Sequence, residues 1–333
     1  MLYAYQLRSH ANARYLDALV SLSLKELRCM LHACGIEADV CPRSLGGTPF
    51  LCFESDPLTP SQNIFLSRHS SLYMTAVLEG ETLRPIDPPM ISPIPQDMPE
   101  ILKYKGKTNS SFTRLLINLS LAAGGQWNNP HPRILDPLCG QGTTLFCALC
   151  SGMDATGIDS NAGEIREAVR FTQKWLEYHR ISHRTEKSGY TLPGGKNAPV
   201  TNIRLQAGPS QEPQVITLIP ADTRFSSQLT RRRRANALAT DLPYGVQHSP
   251  LDHGRTGTLE QLLSSALPSW LEALEPGCAA AISFNTYTLP RDTVERLAAD
   301  AGFVLPPPAL YGDFSHWVEQ AVNRDIVVAL RPM

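Results

Sequence analysis

Between residues 133 and 241 the chain repeats one arrangement: a short apolar run that stops at an aspartate. RILD ends at Asp136, ATGID at Asp159, VITLIPAD at Asp222 and ANALATD at Asp241. Helical patterns follow the first two runs, TTLFCALCSG closed by Gly152 and then AGEIREAVRFTQKWLEYHR. The alternation continues through LEQLLSSALPSWLEAL, the strand-like AAAISFN, the helical DTVERLAADAG and a final strand pair near WVEQAV and DIVVALR. Short strands linked by helices must run parallel, and right-handed crossovers then cover both faces of the sheet. The expected fold class is α/β, a doubly wound sheet, whose ligands bind where the strands end. Just upstream, FTRLLINLSLAAGG sets Phe112, Leu115, Leu116 and Leu119 on one buried helical stripe.

The N-terminal part follows a different pattern. LYAYQL, LDALVSLSLKELRCMLHACG, ADVCP, FLCFES, SQNIFLSR and SLYMTAVLE read as β-α-β-β-α-β, the order of a small α+β ferredoxin-like domain. This domain is assigned to residues 1–84. The proline-rich LRPIDPPMISPIPQDMPE opposes regular structure and marks a linker at 85–100, and a second domain spans 101–333.

Composition narrows the function classes. With 42% hydrophobic and 18% charged residues, the chain is that of a folded globular protein. The opening MLYAYQLRSHANARYL has no basic segment followed by an apolar one, and no apolar run is long enough to span a bilayer. The expectation is a cytoplasmic protein with no membrane partner. The eight cysteines, read as having neither a C-x-x-C pair nor paired-histidine spacing, are expected to be reduced, mostly buried small residues, and no metal is expected. The net charge of −1 means that any grip on nucleic acid must come from local patches. Two basic stretches are available: Arg166, Arg170, Lys174, His179, Arg180, His183, Arg184 and Lys187, and then Arg231–Arg234. Solvated surface is the plainer reading of both, since Arg231–Arg234 precede a strand and lie opposite the ligand edge. SGYTLPGGKNAPVTNIRLQAGPSQEPQ reads as an inserted mobile loop, with a lid over substrate as one use.

The strand ends carry the chemistry. Asp136-Pro137-Leu138-Cys139-Gly140-Gln141-Gly142-Thr143 is a tight glycine loop opening a helix, whose amides face a ligand. It lacks the third glycine of a dinucleotide loop and begins with an acid. Pyrophosphate is a poor neighbour for that carboxylate, whereas a sulfonium or ammonium group, as in S-adenosylmethionine (SAM), suits it. Asp159, about 20 residues beyond the loop, stands where an acid accepts ribose hydroxyls. Asp222 could accept an adenine amine. Each of these aspartates also has an ordinary role as a helix N-cap, and DLPYG alone could be a turn.

In sequence, DPLCGQGTT, GIDSN, ADTRF and TDLPYG resemble the SAM-dependent methyltransferases that modify exocyclic amines, whose fourth motif is (D/N/S)-(P/I/L)-P-(Y/F/W). Leu242 and Gly245 look most like the THUMP-associated tRNA guanine-N2 methyltransferases. KYKGKTNSSFTRLLINLSLA is similar to the segment those enzymes place before their first motif. The resemblance covers Ile101 to about Met333. It implies a Rossmann-like class I methyltransferase domain with SAM as cofactor, held by Thr108, Asn109, Asp136, Leu138, Gly140, Gly142, Thr143, Asp159, Ser160, Asp222 and Thr223. It implies catalysis by Asp241, Leu242, Pro243 and Tyr244: the Asp241 carboxylate and the Leu242 carbonyl take the amine hydrogens, Pro243 fixes the backbone and Tyr244 stacks on a base flipped from its helix. The implied partner is RNA, namely tRNA. Family members that act on tRNA usually carry a complete THUMP module, for which residues 1–84 leave no room. The alternatives are an amine methyltransferase on DNA or a small molecule, and a non-catalytic binding module that keeps the fold.

Overall fold

The structure is a computed structural model. It describes every residue except 9–12, 90, 102–106, 196, 207–212, 244–250, 253, 254 and 257. The first elements are β1 (Leu2–Leu7), α1 (Ala13–Ala33), β2 (Cys41–Leu45), β3 (Thr48–Glu54), α2 (Pro60–Leu66), β4 (Leu72–Glu79) and β5 (Thr82–Ile86). They form a five-stranded antiparallel sheet ordered β2-β3-β1-β4-β5. Two details depart from the sequence expectation. The first hairpin strand is Cys41–Leu45, not ADVCP, because Gly46 and Gly47, with φ of 58° and 77°, make the two-residue turn that sets its register against β3. Strand β5 enters the proline-rich stretch, with Pro85 opposite Ala76. At a sheet edge a missing N–H costs no ladder bond.

The next elements are α3 (Met98–Ile101), α4 (Ser110–Ala123), β6 (Arg133–Asp136), α5 (Thr143–Cys150), β7 (Asp154–Asp159), α6 (Ala162–Tyr178), β8 (His183–Thr191), β9 (Asn197–Leu205), β10 (Val215–Pro220), α7 (Ser226–Thr230) and β11 (Ala235–Asp241). After these come β12 (Leu251–Asp252), β13 (Arg255–Thr256), α8 (Leu259–Ala273), β14 (Leu274–Asn285), α9 (Arg291–Asp300), α10 (Pro308–Tyr311), β15 (His316–Glu319) and β16 (Val322–Leu330). Nine of the strands form one sheet, β15-β16-β14-β11-β6-β7-β10-β9-β8. Its centre, β14-β11-β6-β7-β10, is parallel, and the order reverses between β6 and β11. This is a doubly wound, Rossmann-like α/β sheet. The segment expected to be a mobile loop is instead a hairpin, β8 against β9, which extends the sheet beyond β10. Pro193, Gly194 and Gly195 make its turn, while Ala198, Val200, Ile203 and Leu205 are buried. The proline and glycine content hid that alternation. No helix among the described residues is long and apolar enough to cross a membrane.

A buried polar network joins α1 and the turn after α2 to α4. Glu26, with no exposed surface, accepts hydrogen bonds from the Ser70 amide (3.0 Å) and from Asn118 Nδ2 (2.7 Å). The Ser70 hydroxyl donates to its other oxygen. His69 Nε2 lies 3.4 Å from that oxygen and 3.0 Å from the Ser23 carbonyl. Asn118 also donates to the Arg68 carbonyl at 2.8 Å. Removing one partner from such a network exposes the others to their full desolvation penalty. Asn118→Leu is therefore expected to lower unfolding stability by about 2–4 kcal/mol, read as a lower urea midpoint at unchanged slope. An unshifted midpoint would show that the network does not hold α4 in place.

Candidate active site

The ends of the parallel strands place the sequence-predicted residues along one edge. In spatial order they are Ser283 near the end of β14, Asp241 on β11, Asp136 on β6, Asp159 on β7 and Asp222 after β10. At about 4.8 Å per strand, Asp241 and Asp222 stand roughly 14 Å apart along the edge.

Asp136 sits at the middle of this edge and is 4% exposed. Its Oδ1 accepts from the Leu138 amide (3.1 Å) and from Thr240 Oγ1 (2.9 Å), so it ties its own loop to β11, one residue before Asp241. Burial, and to a lesser degree the neighbouring Asp159 carboxylate, pushes its pKa up to about 6. The loop then turns through Gly140 (φ 49°) and Gly142 (φ 93°). A side chain at Gly142 would be strained by that φ and would crowd Phe146 at 3.3 Å, while Gly140 faces open space. Gly142 leads into α5 without a side-chain cap, and Thr143 follows, buried.

Asp159 holds the loop from the other side. Its Oδ2 accepts from the Gly140 amide (2.9 Å) and its Oδ1 from the Asn161 amide (2.8 Å), and burial raises its pKa. A carboxylate has about four lone-pair sites, so both oxygens keep capacity for a ligand. Ser160 is exposed beside it. Asp222 has the plainer role: it caps the short helical turn Thr223–Phe225 through the Arg224 amide (2.9 Å), and the Arg224 guanidinium grips both of its oxygens. The adenine-amine role therefore competes with Arg224. Thr223 Oγ1 accepts from the fully buried Trp270 indole (2.8 Å), an anchor for α8.

Asp241 is held from three elements. Thr108 Oγ1 donates to Oδ2 (2.6 Å), Ser283 Oγ donates to Oδ1 (2.7 Å) and the Arg324 guanidinium lies 3.7 Å away. Its side chain is 12% exposed. Leu242 is buried and its amide donates to the Ser283 carbonyl (2.9 Å), which continues the β11–β14 register past the strand end. Pro243 is half-buried. Tyr244 lies outside the described residues. Thr108, placed by resemblance at the cofactor, thus contacts the motif carboxylate. Asn109 caps α4 through the Ser111 and Phe112 amides. Arg324 also stacks on Phe112, 4.2 Å from the ring centre, and His316, whose pKa burial pushes down, flanks the same ring at 5.4 Å.

Ser283, Arg324, Phe112 and His316 escaped the sequence reading. Ser283 could have been found, because AAAIS is another apolar run ending at a polar residue on the ligand edge. Arg324 and His316 come from an antiparallel pair to which the strand-end rule does not apply. Phe112, His316 and Arg324 border a cleft of about 290 Å³ between α1, the start of α4 and β15, with Lys107, Asn109 and Trp317 on its walls. Among the described residues no group of acids, histidines and cysteines is placed to hold a metal. Cys147 and Cys150 do have C-x-x-C spacing, but both are buried in α5 with their sulfurs on the Ser110 and Pro95 carbonyls. Burial raises both thiol pKa values, that of Cys147 to about 11.

No family model matches the chain, and no curated protein matches it. Among solved structures it is similar to TrmN from Thermus thermophilus, at 16% identity and TM-score 0.41, with 88% of this chain and 60% of that one covered. It is also similar to the magnesium protoporphyrin IX methyltransferase ChlM of Synechocystis with bound SAM, at 15% identity and TM-score 0.38 over 71% and 90% of the two chains. A third is the fibrillarin pre-rRNA processing protein of Methanococcus jannaschii, at 10% identity and TM-score 0.35 over 61% and 68%. Likenesses this distant carry nothing about activity, which lives in the site.

Asp136 makes the edge sensitive to pH. Its pKa is about 6 folded against an ordinary 3.8, so the folded state holds the proton more tightly. The stability it contributes is complete below about pH 4 and is lost as pH rises through 6, by roughly 3 kcal/mol at most. Asp136→Asn removes this loss. Its urea midpoint relative to the native protein should therefore rise between pH 4 and pH 7.5 in the absence of ligand; a pH-independent difference would contradict the buried, proton-holding carboxylate.

Proposed function

We propose that this protein is a SAM-dependent N-methyltransferase acting on an exocyclic amine of a nucleobase, with guanine-N2 in tRNA as the first substrate to test. The observation that carries the proposal is the edge itself: a triply held Asp241 followed by Leu242-Pro243, on the strand next to a glycine loop bracketed by Asp136 and Asp159. The residues fit the cofactor. Asp136 is a buried carboxylate whose proton affinity is raised by burial, and a cationic amino-acid or sulfonium group is the partner that would hold it ionised. Asp159 has the acceptor capacity for ribose hydroxyls, and Gly140 leaves open space where the backbone meets a ligand.

When bound, SAM supplies an electrophilic methyl group on a positive sulfur. The chain must then orient a poor nucleophile, since the amine lone pair is delocalised into the base. Asp241 accepts one amine hydrogen and the Leu242 carbonyl the other, which favours a pyramidal nitrogen and withdraws its lone pair from conjugation with the ring. Thr108, Ser283 and Arg324 hold that carboxylate in one orientation, the preorganisation that makes positioning effective. The cleft beside Phe112 and Arg324 offers the acceptor its approach, with Trp317 46% exposed at its wall. The intact D-L-P-Y motif favours an enzyme over a retained binding module. DNA and small-molecule amines remain the competing acceptors.

The test is methyl transfer from labelled SAM to total RNA from cells lacking the protein, run beside genomic DNA. N2-methylguanosine in the tRNA fraction is the expected product. Asp241→Ala should cut turnover at least 100-fold with SAM affinity held within about three-fold; near-normal turnover would remove Asp241 from the chemistry. Thr108→Val should lower kcat about ten-fold with the same SAM affinity, because it frees the carboxylate and leaves the glycine loop intact. If SAM binding falls in step with kcat, Thr108 serves the cofactor instead.

A further inference from the structure

A second cleft, of about 530 Å³, lies on the flank of the molecule between β4, the proline-rich segment, α4 and the end of α5. Its walls carry Arg8, Arg68 and Arg114, and no aspartate or glutamate among the described residues lines it. Arg68 is only 9% exposed, and its Nε and Nη1 are buried without a hydrogen-bond acceptor among the described residues. Arg114 Nε is buried in the same state, while its Nη2 donates to the Gln96 carbonyl at 3.2 Å. Arg8, at the exposed mouth, donates to the Leu72 carbonyl at 3.3 Å. Burial lowers the Arg68 pKa to about 10, which leaves it cationic at neutral pH.

A buried guanidinium with unmet donors and no counter-charge is a standing cost to the fold, and a ligand oxyanion removes it. Guanidinium forks match the tetrahedral oxygens of phosphate in geometry and charge. We propose that this cleft binds a backbone phosphate of the polynucleotide substrate, clamped by Arg68 and Arg114 with Arg8 at the entrance. A chain-like ligand is favoured over free phosphate because α4 links the two sites. Thr108, just before the helix, touches Asp241, and Arg114 follows six residues later, about 9 Å along the axis. A strand whose base reaches Asp241 can therefore lay a nearby phosphate in the cleft. The proposal rests on the nucleic-acid reading of the active site and gives a chain with net charge −1 a local grip on a polyanion.

The experiment compares the native protein with the Arg68→Met/Arg114→Met double variant, which keeps the aliphatic volume and removes the charges. Binding of a fluorescent 12-nucleotide single-stranded RNA is measured across a salt series. The double variant should bind 5- to 30-fold more weakly at low salt, with the slope of log Kd against log salt reduced by about 0.7 for the one lost phosphate contact. Its KM for RNA should rise while kcat and SAM affinity stay as in the native protein. An unchanged slope and KM in a variant that melts like the native protein would overturn the proposal. Inorganic phosphate that raises the native melting temperature through Arg68 and Arg114, with RNA binding untouched, would mark a small-anion site and overturn the polynucleotide assignment. Arginine-dependent RNA binding without methylation of any RNA would leave the phosphate clamp standing and remove the proposed reaction instead.

Discussion

The architecture turns on one oxygen. Asp136 Oδ1 is bonded at once to the Leu138 amide of its own loop and to the Thr240 hydroxyl of the neighbouring strand. Between β6 and β11 the strand order reverses, so no crossover covers this part of the edge and a crevice opens there. The two bonds fix the crevice floor: they bend the glycine loop back over β6 and set the register at which Asp241 leaves β11. Asp159 completes the bracket by holding the Gly140 amide from the next strand. The cost is a carboxylate in a dry site with a second one close by, which is why the Asp136 pKa rises to about 6. A carboxylate held this way is stabilised in its ionised form by a positive charge beside it.

The N-terminal elements matter through α4. That helix carries Phe112 toward Arg324, Arg114 toward the flank cleft and Asn118 toward Glu26. This one helix therefore borders the candidate active-site edge, an arginine-lined cleft and a buried polar network with α1 and the turn after α2. Exposed ion pairs such as Lys25–Asp313 add little to this coupling, because solvent screens them. Arg291 does more at the far edge: it reaches Asp325, Glu295 and the Ile326 and Tyr311 carbonyls, fixing β16 and with it Arg324.

Much of the sheet and its edge was legible because the signals are local. An apolar run that ends in an acid, a glycine loop before a helix and a helical stripe are each written within about ten residues. The hairpin β8–β9 was hidden because its proline and glycines dominated the composition of a segment whose alternation was real. The shifted strand β2 was hidden because its register is set by the Gly46-Gly47 turn and not by apolarity, four of its five residues being exposed. Asp222 and Thr223 were legible as strand-end residues, but their partners Arg224 and Trp270 were not assigned.

The sequence by itself determined that Asp136, Asp159 and Asp241 stand at strand ends, since each of those apolar runs stops at its acid within a few residues. It also determined the kind of chemistry those acids and glycines can support. The tertiary structure alone decided which groups surround each carboxylate. Ser283 and Arg324 reach Asp241, and Arg68 and Arg114 line one cleft, only because strands and helices distant in the chain become neighbours. A side chain's electrostatic environment depends on that non-local order, and no local pattern encodes it.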